Sequence, residues 1–193
     1  MTRSIVLASS SKYRQQLLQR LHLNFVCQAP DIDESEHPNE TPLETAIRLA
    51  YQKAWCIANE HPEAIVIGSD QVANVNGKAI SKPGNHEAAQ QQLLKMSGQT
   101  IVFHTAACVI CKAMPKLIEF EVSTQVSFRA LSEHEIERYL LADTPYDCAG
   151  SAKSESLGIA LLESIESTDP TALVGLPLIR LSNALRNMGI DLP

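Results

Sequence analysis

No stretch of this sequence approaches the ~20 consecutive apolar residues that a membrane-spanning helix needs. The opening Met1-Thr2-Arg3-Ser4 and the short apolar run after it are too brief for a secretory signal and lack its cleavage pattern. A cytoplasmic address with no membrane partner is therefore expected. Positive charge is also scarce. Lys and Arg number 16 against 22 Asp and Glu, a formal net charge of −6. Aromatic residues make up only 5% and are not interleaved with basic ones. A broad nucleic-acid surface is thereby disfavoured. A small basic pocket for a phosphorylated ligand is not, because it needs only a few well-placed cations.

Cysteine is sparse and irregular. Five residues at uneven spacing argue against a disulfide framework. Cys108 and Cys111 form a CxxC, but within a run that reads as a strand. Their odd separation sends the two thiols to opposite faces, which suits neither zinc nor redox chemistry. The six histidines show no ligand spacing. His104 in a strand and His22 at a helix end read as packing or surface residues.

What is present is ample apolar material, 45% of 193 residues. That is enough for one domain spanning 1–193, or two small lobes sharing a core. Ser4–Ala8, Ser9-Ser10-Ser11 and the helical spacing of Tyr13, Leu17, Leu18 and Leu21 read as strand, turn and helix. Asn24–Cys27 is a second short strand, and Pro30–Pro42 a polar, acidic loop. Thr41-Pro42-Leu43-Glu44 is a capping box that opens a helix to about Asn59. Ala64–Gly68 is a β-branched run. Gln71–Val75 and Lys78–Ser81 flank Asn76-Gly77 as a hairpin. His86–Met96 is helical. Thr100–Lys112 and Lys116–Arg129 are long strands. Ser132–Glu135 caps a helix to about Ala142. Gly158–Ile165 is a strand and Pro177–Met188 a terminal helix. Alternating strands and helices followed by an antiparallel stretch predict an α/β fold. Its sheet is mixed and largely antiparallel, flanked by helices.

Four places carry candidate chemistry. Ser9-Ser10-Ser11-Lys12-Tyr13-Arg14 joins a strand to a helix start, where hydroxyls, free amides and cations converge on an anion. N-capping serines beside surface cations would give the same pattern. Asp70, in Gly68-Ser69-Asp70-Gln71, reads as an acid just past the end of an apolar strand. It is suited to hold Mg²⁺ or accept a proton from water, or else to make a turn. Lys53 lies in the long helix, while Lys82 and Lys153 lie in small, polar loops where backbone approaches a ligand. One carboxylate of the acidic run Asp31–Glu36 could join Asp70 around a metal.

Together these pieces resemble the Maf family of nucleotide pyrophosphatases almost end to end. The resemblance rests on Leu7–Arg14, Asp33-Glu34, Arg48-Leu49-Ala50 with Lys53-Ala54, Ile67–Val72, Ser81-Lys82-Pro83, Ala149-Gly150-Ser151 and Leu173–Pro177. Each fragment is weak alone, but their order and spacing are specific. The resemblance implies two lobes with a substrate cleft between them, a Maf/ITPase-like fold, often as a homodimer. It implies hydrolysis of a nucleoside triphosphate to monophosphate and pyrophosphate with Mg²⁺ or Mn²⁺. Ser9, Arg14, Lys53 and Lys82 match phosphate-contacting positions, Asp70 the catalytic carboxylate, and Glu34 an acid near the metal beside Asp70. Lys12 and Gln15 depart from the family's usual proline and second arginine.

Tyr13, Gln71 and Glu155 look like the branch of the family acting on 7-methyl-GTP, not the branch acting on dTTP and UTP. The chemistry agrees. N7-methylation makes guanine cationic, so an aromatic face can stack on it. A carboxylate accepts hydrogen bonds from its N1–H and 2-amino groups. The alternatives are another triphosphate, such as dTTP, UTP or CTP, and a nucleotide-binding regulator of septum formation.

Overall fold

Central strands buried on both faces and capping at the helix starts account for most of the architecture. The computed structural model describes residues 3–193. In chain order the strands are β1 (Ile5–Leu7), β2 (Phe25–Cys27), β3 (Ile65–Val75), β4 (Lys78–Ile80), β5 (Thr100–Cys111), β6 (Lys116–Phe128) and β7 (Leu162–Glu166). The helices are α1 (Lys12–Gln19), α2 (Pro42–Glu60), α3 (His86–Met96), α4 (Glu133–Asp143) and α5 (Leu178–Asn187). Both capping boxes form as the sequence predicts: Thr41 and Ser132 each accept the backbone N–H three residues on, and Glu44 and Glu135 reach back. Among the described residues, no helix is long and apolar enough to cross a membrane.

The seven strands form one mixed sheet in the order β2-β1-β3-β5-β6-β7, with β4 paired to β3. β2, β1 and β3 run parallel, and all other pairings are antiparallel. Side chains alternate between faces along each strand. On one face the small residues Ala46, Ala50, Ala54 and Ala58 let α2 lie close to β3. Gly68 marks the tightest point. A Cβ there would stand 2.3 Å from the Ala50 carbonyl oxygen and 2.5 Å from the Ala54 nitrogen.

The opposite face carries two separate cores. One gathers Leu17 and Leu18 of α1 and Leu181 and Leu185 of α5 over Ile65, Ile67 and Val109. The other gathers Leu93 and Met96 of α3 and Ile136 and Leu140 of α4 over Phe103 and Val126. Cys108 and Cys111 fall in different cores on opposite faces, as the odd spacing requires.

Two expectations need correcting. The sequence reads as two strands broken at Gly68–Asp70, yet β3 runs unbroken from Ile65 to Val75, so Asp70 lies mid-strand. The glycine serves the close approach of α2, and Ser69 and Asp70 stay paired to Ala107 and Ala106 of β5. The strand expected from Gly158 begins only at Leu162, after a 3₁₀ segment over Leu157–Leu161. Its partner β6 ends at Phe128, which pairs Leu162, so earlier residues have no strand to join.

Candidate active site

The site grows from a notch in the sheet. β1 pairs with β3 only as far as Leu7 opposite Ile67. β4 begins to pair only at Ala73. Between them, one edge of β3 is left uncovered from Gly68 to Val72. The chain leaving β1 and the chain leaving β4 form the walls. A cavity of about 750 Å³ fills this gap, with Asp70, Gln71 and Val72 on its floor.

Asp70 points to the α2 face, where Lys53 meets it. Lys53 Nζ donates to Asp70 Oδ1 at 2.7 Å and lies 3.0 Å from Glu34 Oε1. Lys53 and Asp70 are buried, 5% and 7% exposed, so the pair is shielded from bulk water. The second oxygens of Asp70 and Glu34 have no hydrogen-bond partner among the described residues. Glu34 owes its reach to a neighbour. Arg48 on α2 grips Glu40 through two bonds, 2.6 Å to Oε1 and 2.7 Å to Oε2, and donates to the Ser35 carbonyl. This fastens the acidic loop to the helix that bears Lys53. The Arg48 hydrogen bonds, aided by Thr45 and the His37 amide, outweigh burial and hold the Glu40 carboxyl at about 2.

The turn after β1 forms the anion-receptive wall. Ser11 caps α1 by accepting from the Arg14 amide, and the buried Ser9 hydroxyl accepts from the Ser11 amide. The first helical amides, of Lys12 and Tyr13, are left over at the positive end of the helix. Lys12, Tyr13 and Arg14 all line the cavity. Arg14 Nε donates to the Gly175 carbonyl at 2.8 Å, while its terminal nitrogens have no partner among the described residues. Burial pulls the Arg14 guanidinium below its usual value, against the charges of Asp70 and Glu34. Lys82, just beyond β4, is an exposed cation on the facing wall.

Gln71, adjacent to Asp70, turns to the other face. Its Nε2 lies within hydrogen-bond reach of Thr105 Oγ1 and the carbonyls of Ala172 and Leu173, all at 2.9–3.0 Å. Its side-chain carbonyl has no partner among the described residues. The turn that receives it is held by Asp169, which sequence reasoning missed. Fully buried, Asp169 accepts from the Thr171 amide and hydroxyl and from the Ile179 and Arg180 amides at the start of α5. The cluster Ser167-Thr168-Asp169-Pro170-Thr171 was the available signal. The same turn presents the Gly175 carbonyl to Arg14 and to Ser69.

The structure thus gathers Ser9, Tyr13, Arg14, Glu34, Lys53, Asp70, Gln71 and Lys82 around one cavity. It does not bring Glu155 there. Glu155 is exposed, bonded only to Ser154, and absent from the lining. Lys153 also stays outside, donating to the Asp143 carbonyl. Asp33 bonds the Ser35 amide and lines a separate shallow hollow beside Trp55. His104 is buried and lies within hydrogen-bond distance of Asn74, Glu121 and Ser123, outside the cavity lining. Among the described residues no three His, Cys, Asp or Glu side chains converge as a metal cage. The donor set still fits Mg²⁺, which commonly takes one or two carboxylates and completes its shell with phosphate and water. Asp70 and Glu34 each keep one oxygen without a partner among the described residues.

Fold and site together define a mixed α/β protein with a cation-walled, carboxylate-floored cleft for a phosphorylated small molecule. The chain belongs to the Maf family, since the family described as Maf-like protein matches residues 4–188. A relative from Polaromonas sp. is 54% identical over 99% of this chain and 87% of its own length. One from Aromatoleum aromaticum is 53% identical over 98% of this chain and 97% of its own. One from Ralstonia nicotianae is 53% identical over 95% of each. All three are named 7-methyl-GTP pyrophosphatase. Among solved structures, the Staphylococcus aureus Ham1 protein aligns over 66% of this chain and 73% of its own, at 19% identity and a TM-score of 0.48.

Proposed function

We propose that this protein hydrolyses 7-methyl-GTP to 7-methyl-GMP and pyrophosphate. The observation that carries the reading is Asp70. One oxygen is tied to Lys53, the other has no partner among the described residues, and Asp70 lines a cavity walled by Ser9, Arg14 and Lys82. The names of the relatives support the substrate.

In this mechanism the amides of Lys12 and Tyr13, the Ser9 hydroxyl and the cations Arg14, Lys53 and Lys82 hold the triphosphate. Lys53 fixes the Asp70 carboxylate through Oδ1, leaving Oδ2 to orient water and accept its proton. Water adds to the α-phosphorus, and the α–β bridging oxygen leaves with pyrophosphate. The surrounding cations stabilise the charge that builds on the phosphate oxygens, which carries most of the rate in such transfers. A divalent ion, Mg²⁺ or Mn²⁺, held by Asp70 and Glu34, would supply further charge neutralisation when bound. At the far end Tyr13 stacks on the base, and the Gln71 carbonyl, its amide already committed to the protein, accepts a hydrogen bond from it.

Guanine offers donors on its N1 and 2-amino edge, where thymine and uracil offer acceptors. Facing acceptors left unpaired cost about 1–3 kcal/mol each. Pyrophosphate release across 7-methyl-GTP, GTP, dTTP, UTP and CTP tests the reading. The highest kcat/KM is expected for 7-methyl-GTP, and a value no higher than for UTP overturns it.

A further inference from the structure

The base end of the cavity holds a carboxylate that sequence reasoning did not mark. Asp147 lines the cavity beside Tyr13. Tyr13 comes from the first turn of α1, Asp147 from the loop after α4. The Tyr13 hydroxyl donates to Asp147 Oδ2 at 3.2 Å, across 134 residues of chain. The loop is anchored a few residues on. Gly150 has φ +72 and sits where a Cβ would stand 2.9 Å from the Phe103 ring, so the backbone there is pressed onto the core. The Gly84 amide fastens the same loop through the Tyr146 carbonyl.

Tyr13 and Asp147 already accommodate one cation. The Lys153 ammonium lies 6.0 Å from the centre of the Tyr13 ring and 3.5 Å from Asp147 Oδ1. An aromatic ring with a carboxylate at its hydroxyl edge is complementary to a flat, positively charged ring that stacks on the one and reaches the other. The partial loss of water around Asp147 would by itself raise its carboxyl. The Lys153 charge and hydrogen bonds from Cys148 and Tyr13 offset it and hold the acid below its usual value, so it is ionised at neutral pH. Burial, with Cys148 and Asp147, pushes the Tyr13 hydroxyl up, so it remains a donor.

We propose that Asp147 is a specificity-determining residue, the carboxylate that favours the cationic 7-methylguanine base over neutral guanine. This rests on the function proposed above. Lys153 lies outside the cavity lining, whereas Asp147 is part of it, so the negative group is the one presented to the base. GTP offers the same hydrogen-bond donors as 7-methyl-GTP but no positive charge. The ratio of kcat/KM for the two therefore isolates the electrostatic part.

The test measures that ratio for wild type, Asp147→Asn, Asp147→Glu and Tyr13→Phe, with a thermal melt for each. Asp147→Asn removes the charge but keeps an oxygen to accept from Tyr13. Its preference for 7-methyl-GTP should fall about tenfold, the scale of discrimination by one group in a pocket. The loss should appear chiefly in KM. Asp147→Glu should restore most of the preference. Tyr13→Phe, which deletes the cross-cavity bond and keeps the charge, should lose less than Asp147→Asn does. A fall under threefold in Asp147→Asn overturns the proposal, as does an equal loss in Tyr13→Phe, which would reduce Asp147 to orienting the ring. Should Asp147→Asn not fold, Asp147→Ser is judged by the same threshold. A wild-type enzyme that does not prefer 7-methyl-GTP to GTP defeats the functional reading itself, a result separable from all of these.

Discussion

The two ends of the cavity are built on different principles. At the cleavage end, Lys53 and Asp70 are buried side chains on a helix and a strand locked together at Gly68. At the base end, Tyr13 and Asp147 are more exposed. They meet through one bond, and Asp147 rides on a loop with 63% of its side chain exposed. Moving a proton and stabilising charge demand atoms fixed to within a fraction of an ångström, which regular elements supply. Recognising a flat base tolerates more play, and loops are where sequence varies at little structural cost. Changes that unpair or displace the buried charges of the cleavage end should therefore fail in stability and turnover together, and changes at the base end in affinity alone.

Among variants that leave Asp70 in place, Lys53→Met should have the largest effect. It leaves Asp70 buried without its cation, which costs about 3 kcal/mol or more in a pair of this kind. The melting midpoint should fall, and kcat/KM should drop by about 100-fold or more as phosphate binding and carboxylate positioning are lost together. A Lys53→Met chain that melts normally yet is inactive would break the link between that buried pair's stability and its chemistry.

Next comes Gly68→Ala. The added methyl meets backbone atoms of α2 that cannot rotate aside. Overpacking of this kind costs about 3 kcal/mol, or roughly 10 °C of melting midpoint for a chain of this size. Activity should fall with it, because the shift carries Lys53 away from Asp70. At the base end Tyr13→Leu should raise KM for 7-methyl-GTP about tenfold through lost stacking. Its kcat should stay within a few-fold of wild type, and its melting midpoint should hardly move.

The smallest effect concerns pH. Glu40 sits at about 2 in the folded chain against an ordinary 4.5. A depressed carboxyl stabilises the fold fully above its unfolded value. That contribution is lost as pH falls from 4.5 toward 2. Glu40→Gln should accordingly show a shallower loss of melting midpoint between pH 5 and pH 3 than wild type, comparing about those two points. An unchanged acid slope would show that the Arg48–Glu40 clasp does not stabilise the fold.

Much of this was legible in the sequence because the signals are local. The two capping boxes, the Asn76-Gly77 turn and the serine turn before α1 act within four residues, and each formed as read. The placement of Asp70 was not legible, although its importance was. Gly68-Ser69-Asp70 has turn composition, and only the packing of α2 back onto the strand that follows it reveals why a glycine stands within a strand. The notch itself depends on where β1 stops and β4 starts along β3, a property of pairing that no single segment encodes. The base end was the least legible. Glu155 matches a family position, but Asp147, eight residues earlier in an unremarkable polar loop, is the acid that meets Tyr13. Asp169 was hidden for the same reason, since a buried turn aspartate and a surface one look alike until their partners are known.

In the proposed mechanism cleavage belongs to Asp70 and not to the base end. The most direct test is kcat for pyrophosphate release from saturating 7-methyl-GTP by Asp70→Asn, alongside its melting midpoint. The substitution keeps the side chain's size and an oxygen for Lys53. A loss of about 1,000-fold in kcat with the fold intact is expected, and a kcat within tenfold of wild type would remove Asp70 from the cleavage step.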